Sequence, residues 1–124
     1  MPGPRSKILL VDDEKLIQRM TRFILERSNY EVHLAEDGKE AIRLARDLRP
    51  GLILLDIQMP RMDGFDVLQI LKLTPETRDI PVVMMSSLAE VTDRSRGLQL
   101  GAAEYLTKPF QATDLVACVA RHLK

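Results

Sequence analysis

A single cysteine, Cys118, stands in 124 residues, so no disulfide can form within the chain and a reducing, cytoplasmic setting is expected. Net charge is missing as well. The 18 basic and 18 acidic residues cancel, which leaves no overall field to hold a nucleic acid or an acidic membrane surface. No apolar run approaches the length that spans a bilayer, and the opening "MPGPRSK" lacks the apolar stretch of a secretory signal. Neither G-x-x-x-x-G-K-S/T nor G-x-G-x-x-G occurs, which speaks against a nucleotide cradle. Aromatic residues are only 4% of the chain, too few to sandwich a flavin ring. What is present is 45% apolar residues, enough for one continuous core. The expectation is one domain over residues 7–124, behind a disordered leader at 1–6.

Apolar runs and amphipathic stretches alternate along the chain. "KILLV" (7–11) is a short buried strand ended by Asp12 and Asp13. The helix after it places Leu16, Met20, Phe23, Ile24 and Arg27 on one face, predicted to point inward. "EVHLA" (31–35) reads as a second strand. Asp37, with Glu40 three residues on, forms a capping-box pattern that opens a helix carrying Ala41, Ile42, Ala45 and Leu48 inward. Pro50-Gly51 breaks it. "LILLD" (52–56) is continuously apolar until its last residue, the pattern of a strand covered on both faces. Asp63 caps a helix to about Lys72 with Phe65, Leu68 and Leu71 inward. "IPVVMMSS" is a fourth strand, followed by a charge-rich helix at 91–100 that exposes Thr92, Asp93, Arg94 and Arg96 and stops at Gly101. "EYLTK" is the last strand; the final helix holds Leu115 and Val119, with His122 or Leu123, on one side. Five strand–helix repeats with short connections predict an α/β fold. With right-handed crossovers it is a doubly wound, five-stranded parallel sheet with five helices, flavodoxin-like, in the order 2-1-3-4-5.

The strands end on chemistry. Asp12-Asp13 close the first, Asp56 the third, Ser86 the fourth and Thr107-Lys108 the fifth. In a parallel sheet these ends share one edge, and the order above sets Asp12 and Asp13 beside Asp56. Clustered carboxylates repel one another unless a cation sits among them, and an incomplete all-oxygen shell suits Mg²⁺. Lys108 adds a mobile charge for a phosphoryl oxygen and Ser86 a hydroxyl. Taken singly each has a plainer reading: a cap on the first helix for Asp12 or Asp13, a turn residue for Asp56, a surface lysine for Lys108. His122 near a helix C-terminus suits a capping role, and Cys118 reads as a small buried residue. Met59, Met62, Met84 and Met85 read as packing.

"VDDE", "LLDIQMPRMDG", "PVVMMSS" and "GAAEYLTKPF", in that order and spacing, resemble the receiver domain of two-component response regulators, of the chemotaxis-regulator type. The resemblance implies that Asp56 takes a phosphoryl group from a phosphohistidine on a histidine kinase or a histidine phosphotransfer protein. It implies Mg²⁺, with Mn²⁺ as a substitute, held by Asp12, Asp13, Asp56 and the main-chain carbonyl of Gln58. Which of Asp12 and Asp13 binds directly stays open; Asp13 is expected to, with Asp12 acting through water. It further implies a switch through Ser86 and Tyr105, a charge-neutralising Lys108, and a cis Lys108–Pro109 bond. Ser87 stands where a smaller residue is commoner, and Gln58 and Leu88 occupy positions that tune phosphate lifetime in relatives. On this reading the domain is no turnover enzyme but a phosphoacceptor that assists its own phosphorylation and dephosphorylation. Its output goes to a downstream protein or a fused output domain through the face of the fourth helix, fifth strand and fifth helix, with dimerisation through that face an open alternative. Two other readings compete. One is a phosphorelay intermediate without conformational output. The other is a Mg²⁺-dependent aspartyl phosphohydrolase, disfavoured because Gln58 stands where such enzymes place a second acid. No membrane contact is expected.

Overall fold

The structure is a computed structural model and describes residues 5–59, 62–87 and 91–123. Five strands and five helices alternate: β1 (Lys7–Val11), α1 (Lys15–Arg27), β2 (Glu31–Ala35), α2 (Gly38–Leu48), β3 (Leu52–Asp56), α3 (Gly64–Leu73), β4 (Val82–Ser86), α4 (Val91–Gln99), β5 (Glu104–Thr107) and α5 (Ala112–His122). The sheet runs β2-β1-β3-β4-β5, and each neighbouring pair is parallel. The expected strand order holds. Among the described residues no helix is long and apolar enough to cross a membrane.

Side chains alternate across the sheet because successive strand residues point to opposite faces. Leu9, Val11, Ile53, Leu55, Val82 and Met84 pack with α2 and α3 on one face. Ile8, Leu10, Leu52, Leu54, Val83 and Met85 pack with Leu25 of α1 and Leu115, Cys118 and Val119 of α5 on the other. Met84 and Met85 are wholly buried, and Met59 and Met62 pack against the first face. The Cys118 thiol is pushed up to about 11, by burial first and by Glu104 beside it, so the thiol stays protonated at neutral pH.

One helix turns differently from its predicted orientation. Leu16, Met20 and Phe23 of α1 are exposed, at 68%, 49% and 62%, while Gln18, Thr21 and Leu25 are buried. Arg27, also expected inward, lies outside with its guanidinium over the Phe23 ring at 5.4 Å. The apolar spacing located the helix correctly and its inner face wrongly. Ile24 of that stripe does pack against the second face, and Gln18 goes inside, where a main-chain oxygen described below accepts from it. Three assignments fall outside the described part of the molecule: residues 1–4 of the expected leader, Leu88, and the side chains of Thr92, Asp93 and Arg94. Arg96 is exposed and stacks over Phe65, 4.4 Å from the ring centroid.

The helix ends follow the sequence signals. Asp37 Oδ1 accepts the Glu40 N–H at 2.8 Å, while the Glu40 carboxylate accepts from the N–H of Glu36 at 3.3 Å. The reciprocal bond therefore falls one residue upstream of a standard capping box. Arg49, left-handed at φ 47°, caps the other end of α2 just before Pro50. Asp63 caps α3 by accepting the Asp66 N–H at 3.0 Å. Replacing Asp37 by Ala leaves a first-turn N–H without its acceptor, and a loss of about 1 kcal/mol is expected in urea denaturation. His122 does not cap α5. Its Nε2 lies 2.8 Å from Glu104 Oε1, across to the sheet.

Candidate functional site

The ends of β1 and β3 are fixed to their neighbours by main-chain hydrogen bonds, which is why their acids are held still. Asp12 N–H donates to Ala35 O at 3.1 Å, and Ile57 N–H donates to Met85 O at 3.0 Å. Lys108 N–H donates to Ser86 O at 2.8 Å, which ties β5 to β4 at the same edge. Asp12, Asp56 and Ser86 are all but fully buried there, at 0%, 2% and 1% exposure. Asp13 faces solvent. One carboxylate oxygen from each of Asp12, Asp13 and Asp56 lies within 4.8 Å of the others. Lys108 enters from β5: its ammonium donates to Asp12 Oδ2 at 2.9 Å and stands 3.3 Å from Asp56 Oδ1 and 3.7 Å from Glu14 Oε1. The Lys108–Pro109 peptide is cis. Every acid and the lysine expected in one crevice are in it.

The two oxygens of Asp56 are not equivalent. Oδ1 faces Lys108 and accepts the Gln58 N–H at 3.3 Å. Oδ2 is buried and has no hydrogen-bond partner among the described residues. Burial, and then the charge of Asp12, push the Asp56 carboxyl up from 3.8 to about 6 against the pull of Lys108. Burial works against the Lys108 ammonium too, but the hydrogen bond to Asp12 and the charges of Asp56 and Asp12 outweigh it and hold its pKa above the ordinary lysine range. An orphaned buried carboxylate oxygen beside two further acids is an arrangement that a hard cation with oxygen ligands completes. The donor set fits Mg²⁺.

Two contributors were not foreseen from the sequence. Gln18 Nε2 donates to the main-chain oxygen of Asp12 at 2.5 Å inside the protein, and so fixes the loop that carries Asp12 and Asp13. No local signal marked it, because the burial of position 18 is set by the tertiary fold. Gly64 is the other. A Cβ there would sit 2.4 Å from the Asp56 carbonyl oxygen and 2.7 Å from Ile57 Cα, so the first residue of α3 lies directly against the strand end. Asp12 does not stand at the N-cap of α1: its Oδ1 accepts the Glu14 N–H at 2.9 Å in a local turn, and Glu14 is the N-cap residue, with no side-chain cap hydrogen bond. Ser86 and Tyr105 stand on adjacent strands, with Ser86 paired to Thr107 and Tyr105 to Met84. Tyr105 is half-buried and packs against the first core face.

The family profile of the response regulator receiver domain matches residues 8–120. The chain belongs to that family. This receiver domain is 40% identical over 118 residues to the DNA-binding dual master transcriptional regulator RpaA of Synechocystis, covering 95% of this chain and 49% of that protein. It is 43% identical over 111 residues to the phosphate regulon transcriptional regulatory protein PhoB of Klebsiella pneumoniae, covering 90% and 48%. The chain thus spans about half the length of these curated relatives. Among solved structures the receiver domain superposes on the chemotaxis protein CheY4 of Vibrio cholerae with a TM-score of 0.91 at 31% identity, over 96% of this chain and 99% of that one. It also superposes, at a TM-score of 0.88 and 31% identity over 95% and 97%, on the receiver domain of a sensor histidine kinase of Pseudomonas aeruginosa, which holds a magnesium ion in its active-site cleft.

Proposed function

We propose that Asp56 is the phosphoacceptor of this receiver domain and that it accepts the group from a phosphohistidine on a histidine kinase or histidine phosphotransfer protein. The reading is carried by one observation: a rigid, buried carboxylate with one unpartnered oxygen, set between two further acids and an ammonium. Asp12, Asp13, Asp56 and the Gln58 carbonyl would hold Mg²⁺, with Mn²⁺ as a substitute. That ion, when bound, supplies positive charge against the phosphoryl oxygens. Asp56 is mostly ionised at neutral pH even with its carboxyl raised to about 6, so it needs alignment and charge relief but no general base. A carboxylate oxygen attacks phosphorus in line; an O–P bond forms, the donor's N–P bond breaks, and the departing imidazole keeps the electron pair and takes a proton. Lys108 balances charge on the transferred group and Ser86 donates its hydroxyl to it. Attack of water on phosphorus later restores the carboxylate and releases phosphate, so the domain assists its own dephosphorylation.

On the donor's side, the exposed ridge of Leu16, Met20 and Phe23 on α1 begins four residues past Asp12 and offers apolar surface to a partner. On the output side, movement of Ser86 toward the phosphoryl group and of Tyr105 behind it alters the α4-β5-α5 face, by shifting two pre-existing populations. A downstream protein, a fused output domain or a second copy would read that change. The test is acetyl phosphate with Mg²⁺. One hydroxylamine-labile phosphoryl group per chain is expected, and none when the ion is chelated; a serine-type, hydroxylamine-stable phosphate would refute the assignment. Replacing Ser86 or Tyr105 should abolish output in a switch, whereas a relay would keep transfer nearly intact.

A further inference from the structure

At the sheet edge opposite the acidic crevice, three side chains of different chemistry converge. Glu104 opens β5 at its N-terminal end, whereas Asp56 and Ser86 close β3 and β4. Cys118 and His122 stand four residues apart on α5, a spacing that puts them on the same helical face, and that face packs toward Glu104. Cys118 is fully buried, while the side chains of His122 and Glu104 are 20% and 27% exposed. The Cys118 sulfur, a ring nitrogen of His122 and a carboxylate oxygen of Glu104 all lie within 4.8 Å of one another. The carboxylate is oriented from outside by Arg121, with Nη2 2.5 Å from Oε2 and Nε 3.1 Å from Oε1.

We propose that Glu104, Cys118 and His122 form a second metal site, for a borderline-soft divalent ion, Zn²⁺ being the ion that suits them. One thiolate sulfur, one imidazole nitrogen and one carboxylate oxygen are the donor types of zinc sites, and three protein ligands leave a position for water on the exposed side. Mg²⁺, which prefers an all-oxygen shell, does not compete here. Binding replaces the Cys118 S–H by an S–Zn bond and sends that proton to solvent; the proton on the coordinating His122 nitrogen leaves or moves to the other ring nitrogen. No redox change is involved. Arg121 carries a positive charge that opposes the ion; the new thiolate offsets it, and the guanidinium serves as the outer partner that holds the carboxylate in place. An ion so bound ties the last turn of α5 to β5, one residue before Tyr105.

Cobalt reports this site directly. Co²⁺ titrated into the whole chain, with Mg²⁺ in excess to fill the acidic crevice, is expected to give a thiolate-to-cobalt charge-transfer band and the intense visible bands of four-coordinate cobalt, saturating at one ion per chain. Zn²⁺ should bleach both. Cys118→Ser should remove the charge-transfer band. His122→Ala, at a partly exposed position, should weaken binding while circular dichroism stays unchanged. Asp56→Asn should leave the band intact, which separates this site from the phosphoacceptor assignment. Absence of a thiolate band in the wild type overturns the proposal, as does an undiminished titration with His122→Ala.

Discussion

Asp56→Asn is expected to bring phosphoryl uptake from acetyl phosphate down to background, a loss on the order of a thousandfold or more, and at the same time to make the metal-free protein more stable. The first half follows from losing the nucleophilic oxygen. The second follows from the fold. Asp56 is a carboxyl whose pKa is raised, from 3.8 to about 6, by burial first and then by Asp12. Its ionisation therefore opposes folding: the Asp56 contribution to stability is most favourable below about pH 4, declines as pH rises toward 6, and levels off above. A pKa rise of that size corresponds to about 3 kcal/mol. Asn removes that penalty, which is already net of the Lys108 contact at 3.3 Å, so a gain of about 2 to 3 kcal/mol is expected. Thermal melts in chelator should show a rise in Tm at pH 7.5 that fades near pH 4, where wild-type Asp56 is already neutral in the fold. A variant that loses both uptake and stability would mean that the carboxylate is held for structure.

Gly64→Ala is expected to cost about 3 kcal/mol or more, a fall of roughly 10 °C in Tm. The new methyl would meet the Asp56 carbonyl oxygen at 2.4 Å and Ile57 Cα at 2.7 Å. Both are main-chain atoms at the end of a fully buried strand, so no rotamer change relieves the clash and the β3–α3 loop must move. Gly64 N–H also donates to Ile57 O at 2.7 Å, a bond that such a movement breaks. Because the displaced atoms carry Asp56, uptake from acetyl phosphate should fall about a hundredfold in the protein that remains folded. A loss under 1 kcal/mol in urea denaturation would show that the loop does not press on the strand.

Strand and helix positions were legible because the signals are local. "LILLD" could only be a strand covered on both sides, and Asp37 and Asp63 announced the helices they cap. The acids were legible as a set because each ends an apolar run, and a parallel sheet collects such ends on one edge. Helix α1 was misjudged on the same logic. Leu16, Met20 and Phe23 make a regular apolar stripe, yet they stand in solvent, because periodicity reports that a face is apolar and not what covers it. Gln18 faces inward because the Asp12 carbonyl is there to accept from it. No window of sequence contains that partner's position.

The order of apolar and polar residues alone determined the alternation of elements, the single sheet and the identity of the residues delivered to its edge. Those properties rest on interactions between residues a few positions apart. Only the tertiary structure decided that Asp56 has one paired and one orphaned oxygen, that Gly64 must lack a side chain, and that Glu104 meets Cys118 and His122 at the far edge. Each depends on groups distant in the chain brought within a few ångströms, where burial and unscreened charge, not local propensity, set their chemistry.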